Sequence, residues 1–501
     1  MCVMMFTACW TSYMCRLQMP ILVVPMIADK LGSYTNSSLR FGTLDNPTTE
    51  EHANVLWRSP DDLIQEVAHA DALSRFKRQA EGNDSVNPRQ ILDFFTNQPF
   101  FWSSYVRGEL LAAYAYGNVP GNFLGGIMAL KFGPRKMILW TSLISAIISL
   151  ISPLIANCHW IALVVSRAIV GFMGGVLFPA CHTLVAKWAP PNEKSRFVWS
   201  LLGGTFGTIF TFPLIAIIAE TINWETGWYL PSVLMLLWVF FWYLLAYDSP
   251  VEHPGITDEE KNYIINAQAG SVESEKQMLK DMPVKAIMTS VPFICLIILH
   301  FGNIFLLFFY QNSLMLYLTK ALGFRLVKGG ILVSLPWVAR MSFGFFFSWA
   351  SDTIKRKEIL SVTALRKFAA IFSHLVPGVF LIAVSYAGYS FVLANIFLFF
   401  ALGFNGAASI SNLSNNQDLS PNYAGFLYGI MNTIGCVAGM VIPKLVETIT
   451  GRSGNIIDKW QIVFWINAGV TIFCMLIFII GGSGKIQPWN EISKTRNPVH
   501  A

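Results

Sequence analysis

Three arginines, Arg16, Arg167 and Arg340, stand inside long apolar runs of this 501-residue sequence rather than at the ends of those runs. An arginine at the centre of a bilayer costs about 2.5–3.5 kcal/mol on insertion scales. It persists there when it faces a cavity and has a partner. Its guanidinium keeps its charge and offers a planar fork of donors suited to a carboxylate or a phosphate. Three such cations facing one cavity would make an anion site. Pairing within the protein, or snorkelling to an interface, is the alternative for each.

Other polar groups lie in or beside the apolar runs. Glu109 falls a few residues inside the second run, at a depth similar to that of Arg167. That makes it the candidate counter-ion for Arg167 and a candidate proton site, against the plainer reading of a rim carboxylate in water. His300 lies near the middle of the seventh run. A histidine there can titrate near neutrality and carry a proton, or pack as a hydrogen-bonded neutral ring. Asn415 and Asp418 follow the tenth run, where they suit a cation site, a gate or a polar helix end. His182, near the end of the fourth run, organises that end.

The elements that must hold these residues are apolar helices. Hydrophobic residues make up 54% of the chain and charged residues 13%, about half the charged share of a soluble domain. The mean hydropathy is +0.51. A bilayer core needs roughly 20 apolar residues per helix. Twelve such segments are predicted near 5–27, 105–130, 137–157, 160–184, 198–220, 227–247, 289–318, 329–350, 367–387, 390–411, 424–446 and 460–482. The eight cysteines show no disulfide or metal spacing and read as small buried hydrophobes. The absence of a P-loop, GxSxG, HExxH or dinucleotide motif argues against an enzyme and against cofactors or a metal. The net charge of +6 includes no basic cluster suited to nucleic acid. The chain starts in an apolar segment without a basic leader, so no cleavable signal peptide is expected.

The predicted organisation is a first helix over 1–27, a long hydrophilic loop over 28–104, helices two to six over 105–247, a linker over 248–288, helices seven to twelve over 289–482, and a tail over 483–501. Lys131, Arg135 and Lys136, then Lys187, Lys194 and Arg196, and then Lys355, Arg356 and Lys357 follow helices two, four and eight. The positive-inside rule makes those short loops, the linker and both termini cytoplasmic. The long loop is then luminal or extracellular, with glycosylation expected at Asn36 and Asn83. A weak repeat relates the stretch from Gly126 to Lys136 to the stretch from Ser348, through Asp352, to Lys357. Each joins the second and third helices of its half. Twofold repetition about a central linker predicts an all-α membrane protein with twelve transmembrane helices in two six-helix halves.

An ordered series of motifs resembles the anion–cation symporter family of the major facilitator superfamily, which contains sialin, the sodium–phosphate cotransporters and the vesicular glutamate transporters. The series runs through Tyr13-x-x-Arg16, Trp102-x5-Gly108-x8-Gly117-x7-Gly125-Gly126, and Arg167-x3-Gly171-x3-Gly175-x2-Phe178-Pro-Ala-x-His182. It continues through Trp188-Ala-Pro-Pro-x-Glu193, Asp248-Ser-Pro, Asp418-x-x-Pro421-x-Tyr423-Ala-Gly425 and Gln487-Pro-Trp489. The resemblance implies the major facilitator fold, substrate contact at Arg16 and Arg167, and packing or gating roles for Gly126, Gly171, Gly175, His182, Asp352, Asn415 and Asp418. The chain also departs from the family. Gly174 and Val170 stand where sialin-like members carry glutamates, Leu111 where glutamate carriers have a histidine, and Asn303 where they have an arginine. Arg340 is then a candidate replacement for that arginine.

The resemblance implies a monomeric secondary active transporter of small organic or inorganic anions, working by alternating access and coupled to Na⁺ or H⁺, in a phosphate/urate-like or divergent branch. A sialin-like lysosomal H⁺/organic (sugar) acid symporter is the close alternative. A non-transporting receptor or scaffold and an anion channel are rivals of another class. The membrane is the plasma membrane or a lysosomal or vesicular one.

Overall fold

The computed structural model describes residues 1–27, 100, 102–188, 203–268, 282–420, 423–451 and 456–490. Twelve long helices dominate the described residues. The first six are α1 (Cys2–Met26), α2 (Ser104–Phe132), α3 (Pro134–Cys158), α4 (Trp160–Trp188), α5 (Gly203–Thr221) and α6 (Thr226–Leu245). The second six are α7 (Val291–Asn312), α8 (Leu326–Arg356), α9 (Val362–Ser385), α10 (Phe391–Leu419), α11 (Phe426–Thr450) and α12 (Ile456–Gly481). Ten of them, α3 to α12, have windows long and apolar enough to cross a membrane. α1 and α2 match them in length but are diluted by Arg16, Gln18, Arg107 and Glu109. Without water, every backbone group of a span must be satisfied inside it, which leaves the helix as the available form.

The predicted segments agree with these helices apart from their ends. The seventh was expected to run to 318 but stops at Asn312, followed by a turn over Leu314–Leu316 and a π-turn over Tyr317–Ala321. The eighth is longer than expected at both ends, because the polar stretch through Asp352 to Arg356 continues the helix instead of forming a loop. The sequons Asn36 and Asn83 and the basic residues Lys194 and Arg196 lie outside the described residues.

Small residues set the packing of the first half. Gly117, Gly121 and Gly125 form one stripe of α2 against α4, and Gly171 and Gly175 answer from α4. A Cβ at Gly117 or Gly171 would collide with a backbone carbonyl of the opposite helix, and one at Gly175 would sit 2.5 Å from the Asn118 carbonyl. Such contacts let membrane helices approach closely where no hydrophobic drive separates lipid from protein. Gly126 lies in the last third of α2.

Two ends of the bundle can be told apart. At the loop end α1 stops and α2 starts. At the linker end α6 leads into the central linker, which carries a short helix over Asp258–Gln268. The Phe100 N–H donates to the Met26 carbonyl at 2.6 Å, and Ile27 bridges Phe100. The long loop therefore leaves and returns at one point. Phe100 stacks on Trp102 with centroids 4.2 Å apart and meets Trp224 edge-on.

Next to Trp224, Glu225 is 5% exposed, and neither of its carboxylate oxygens has a hydrogen-bond partner. Burial pushes this carboxyl above its ordinary range. A carboxyl raised on folding favours the folded state at low pH, and that contribution is lost as pH rises through the raised value. Glu225→Gln should therefore stabilise the protein by about 1–3 kcal/mol near neutral pH and have little effect below about pH 4. Melting curves over that range check it. A parallel offset at every pH would refute it.

Candidate functional site

Arg16 sits midway along α1, and its guanidinium carbon lies 5.0 Å from the Tyr13 ring, 5.1 Å from Tyr114 and 4.9 Å from Phe308. Three aromatic faces compensate a desolvated cation without neutralising it. Its hydrogen bond is to the Tyr13 hydroxyl, at 3.4 Å, and among the described residues no carboxylate pairs with it. Phe308 belongs to α7, so the cage already spans both halves. A cavity of about 10 Å³ adjoins it, lined by Arg16, Tyr114 and Arg167 from one half and by Phe308 and Asn312 from the other. That is room for about one water. Any larger guest requires the halves to move.

Arg167 is 1% exposed and reaches from α4 to the α1 backbone, donating Nη1 to the Cys15 carbonyl at 2.9 Å and Nη2 to the Arg16 carbonyl at 2.7 Å. Its Nε has no partner, and its carbon lies 5.3 Å from the Trp228 ring. It thus clamps the main chain that carries Arg16. The space beside Gly174 is filled. A Cβ on Gly174 would overlap the Tyr114 hydroxyl, and the Tyr114 ring lies beside both arginines. Gly174→Ala should cost roughly 1–3 kcal/mol by overpacking. Adding Tyr114→Phe should recover most of it, since the next atom, the ring carbon, is 3.1 Å away. Melting temperatures of the two single variants and the double variant decide this; strict additivity would count against it.

Arg340 lies midway along α8. Its Nε donates to the Asn405 Oδ1 at 3.0 Å, and its carbon lies 5.9 Å from the Trp337 ring. Tyr13 of the other half is close enough to act on it electrostatically. Asn303, where an arginine was missing from the pattern, accepts a hydrogen bond from Asn405 at 2.9 Å.

Glu109 is not the counter-ion of Arg167, as its depth had suggested. It pairs with Lys444 of α11 at 2.7 Å and accepts from the Tyr116 hydroxyl at 2.6 Å. The reason is helical phase. The α2 face that carries Gly117 and Gly121 meets α4, whereas Gly108, Glu109, Ala115 and Tyr116 lie towards α11. Two residues before Glu109, Arg107 grips Glu447 of α11 through Nε at 2.6 Å and Nη2 at 2.7 Å. A third link, Arg325 to Glu220 at 2.5 Å, joins α5 to the start of α8. All three pairs tie one half to the other at the loop end. A methyl on Gly330 would strike Ala216 of the first half at 2.7 Å, and one on Gly439 would strike Ala115 of the first half at 2.9 Å. Towards the linker end a methyl on Gly429, one turn before Asn432 on the face towards Asn122, meets nothing within 4 Å.

The remaining candidates divide between the halves. His300 is fully buried; its Nδ1 bonds to the Asn412 amide at 2.9 Å, while Nε2 lacks a hydrogen bond of good geometry and has Asn432 as a polar neighbour. His182 is exposed and lies 5.8 Å, ring to ring, from Tyr428, which in turn lies 6.0 Å from His300. Asp418 pairs with Arg366 of α9, the shorter contact being 2.5 Å. Asn415 is buried with both amide atoms unpartnered. Asp352 is exposed in the last turns of α8. Tyr114, Asn405, Arg107, Lys444, Glu447 and His374 were missed. For Lys444 and Glu447 a signal existed, since both interrupt an apolar run three residues apart.

The sequence profile of the Major Facilitator Superfamily matches residues 1–443. Sialin of Homo sapiens is 30% identical over 395 residues, covering 79% of each chain. A putative inorganic phosphate cotransporter of Drosophila melanogaster is 32% identical over 421 residues, 82% of this chain and 78% of that one. Vesicular glutamate transporter 2 of Homo sapiens is 29% identical over 398 residues, 79% of this chain and 68% of that one. Among solved structures, a D-xylose–proton symporter superposes with a TM-score of 0.59 at 16% identity, over 76% of this chain and 89% of the other. A peptide transporter crystallised with sulfate reaches 0.61 at 13% identity, over 95% and 93%. At those identities the structures speak for the fold alone, and the fold is theirs: two six-helix halves in a multi-pass membrane protein. With that fold and those relatives, the chain belongs to the anion–cation symporter family of the major facilitator superfamily and is a secondary transporter, not an enzyme.

Proposed function

We propose that this carrier moves a small anion, organic or inorganic, which binds between Arg16 of the first half and Arg340 of the second. The observation that carries the reading is a cation without a counter-ion. Arg16 is caged by Tyr13, Tyr114 and Phe308 and has no carboxylate partner among the described residues, so its charge is available to a guest. Arg167 supports this as the clamp on the α1 backbone. The basic residues at the linker end make that end cytoplasmic by the positive-inside rule. The described conformation is then closed outside by three ion pairs, with room at the centre for about one water, which suits a closed step of alternating access.

Coupling is to Na⁺ or H⁺. His300 is the proton candidate, because a buried imidazole beside an amide can change charge where no helix-four glutamate remains. Glu109, locked to Lys444, serves the outer closure instead. The plasma membrane and a lysosomal or vesicular membrane both suit this function.

The test is uptake of radiolabelled phosphate, L-glutamate and glucuronate into proteoliposomes under imposed Na⁺, pH and voltage gradients. One of these anions should accumulate saturably. Arg340→Ala should raise its KM about tenfold, the loss of roughly one charge-assisted contact. Uptake of none of the three, or an unchanged KM, overturns the reading. Conductance without saturation would indicate a channel.

A further inference from the structure

Asn405 of α10 is fully buried, and each of its amide groups is spoken for. Oδ1 accepts from Arg340 Nε at 3.0 Å, and Nδ2 donates to Asn303 Oδ1 at 2.9 Å and to the Ser373 carbonyl at 3.0 Å. The orientation is fixed by chemistry. A flipped amide would set donors against the guanidinium and leave its oxygen facing two acceptors. The Ser373 carbonyl is free to accept because the residue four positions on, Pro377, has no N–H to donate, just past a π-turn over Ile371–Leu375.

The same turn presents Ser373 Oγ to Ser411 Oγ at 3.0 Å and to His374 Nδ1 at 2.7 Å. His374 Nε2 meets the Leu299 carbonyl at 2.9 Å. A carbonyl only accepts, so Nε2 carries the hydrogen and Nδ1 accepts from Ser373 when the ring is neutral. Asn405 is thus held by α7 and α9 while it holds α8. Among the described residues no carboxylate enters this arrangement. The contrast with Arg107, Lys444, Arg325 and Arg366, each set against a carboxylate, is direct.

We infer that Asn405 is the positioning residue that presents Arg340 to the anion: a neutral amide fixes one edge of the guanidinium and leaves its charge uncompensated for the substrate. The inference rests on the anion site proposed above and adds to it the group that sets the site's charge in the second half. A carboxylate of the same shape would fix the same edge and also cancel the charge. The amide therefore does what an acid could not.

The test uses Asn405→Asp in the full-length protein, with uptake of whichever of phosphate, L-glutamate and glucuronate the wild type accumulates. KM should rise about tenfold or more, with kcat changed less than about threefold, since a ground-state contact is being removed. In an Arg340→Ala background the same substitution should raise KM no further, because residues acting through one another are not additive. A structural role alone would lower kcat and surface expression without that dependence. If Asn405→Asp does not reach the membrane, Asn405→Ser is read in the same cycle and should also raise KM only while Arg340 is present. An unchanged KM in a folded Asn405 variant, or a full additional rise without Arg340, overturns the inference. An unchanged KM in Arg340→Ala strikes the anion site itself.

Discussion

Arg16→Ala should reduce anion uptake at least about 100-fold at matched surface expression, the loss of roughly two charge-assisted hydrogen bonds. The expectation follows from how the cation is kept. Its compensation comes from the rings of Tyr13, Tyr114 and Phe308, which soften the cost of burying charge without satisfying its N–H groups. A small anion entering between the halves would complete that set. Arg16→Lys should recover only part of the activity, because a point charge replaces a planar fork. The Arg16→Ala variant should melt no lower than wild type, since it removes an unpaired cation from a membrane interior, and phosphate or the carried organic anion should no longer raise its melting temperature. Uptake within about twofold of wild type would remove Arg16 from the site.

The sequence made the mid-membrane position of Arg16 and Arg340 readable, because a charge inside an apolar run shows its depth. It did not show what each charge faces. Glu109 and Arg167 stand at similar distances from the starts of their helices in sequence but meet different neighbours, and a shift of one residue turns a helical position by about 100 degrees. The stripe Gly117, Gly121 and Gly125 held the needed phase information, since it marks the α4 side of α2 and leaves Glu109 towards α11. Asn405 was invisible for another reason. A neutral amide in an apolar run costs little, and its importance comes from Arg340 on a different helix. The substitution of Gly174 for an acid was visible, but Tyr114, which fills the space, could be matched to it only across two helices.

Taken together, these contacts separate charge into two classes. At mid-membrane, Arg16, Arg167 and Arg340 are held by rings, carbonyls and an amide. At the loop end, charge is paired across the halves. On the proposed reading, the first arrangement leaves charge for a substrate and the second closes the loop end.

The strongest of those closures is Arg107 to Glu447. Its acid side chain is 2% exposed and its base 14%, and Lys320 also acts on the acid. Breaking one partner of a buried pair costs up to about 3–5 kcal/mol, but only in the state that buries it. When the loop end opens, water reaches both groups and the penalty falls. Glu447→Gln should therefore shift the carrier towards the loop-end-open state. A loss of about 3 kcal/mol from the closed form changes the ratio roughly 150-fold. Ala115, 1% exposed, has its Cβ 2.9 Å from where a methyl on Gly439 of the other half would sit, and so reports on the seam. In a Cys158→Ser background, Ala115→Cys should react slowly with a membrane-impermeant thiol reagent added from outside, and much faster once Glu447→Gln is present. Joint replacement by Arg107→Gln and Glu447→Gln should restore much of the closure, because two amides can bond without a buried charge. Equal labelling rates with and without Glu447→Gln would show that the pair does not hold the loop end shut.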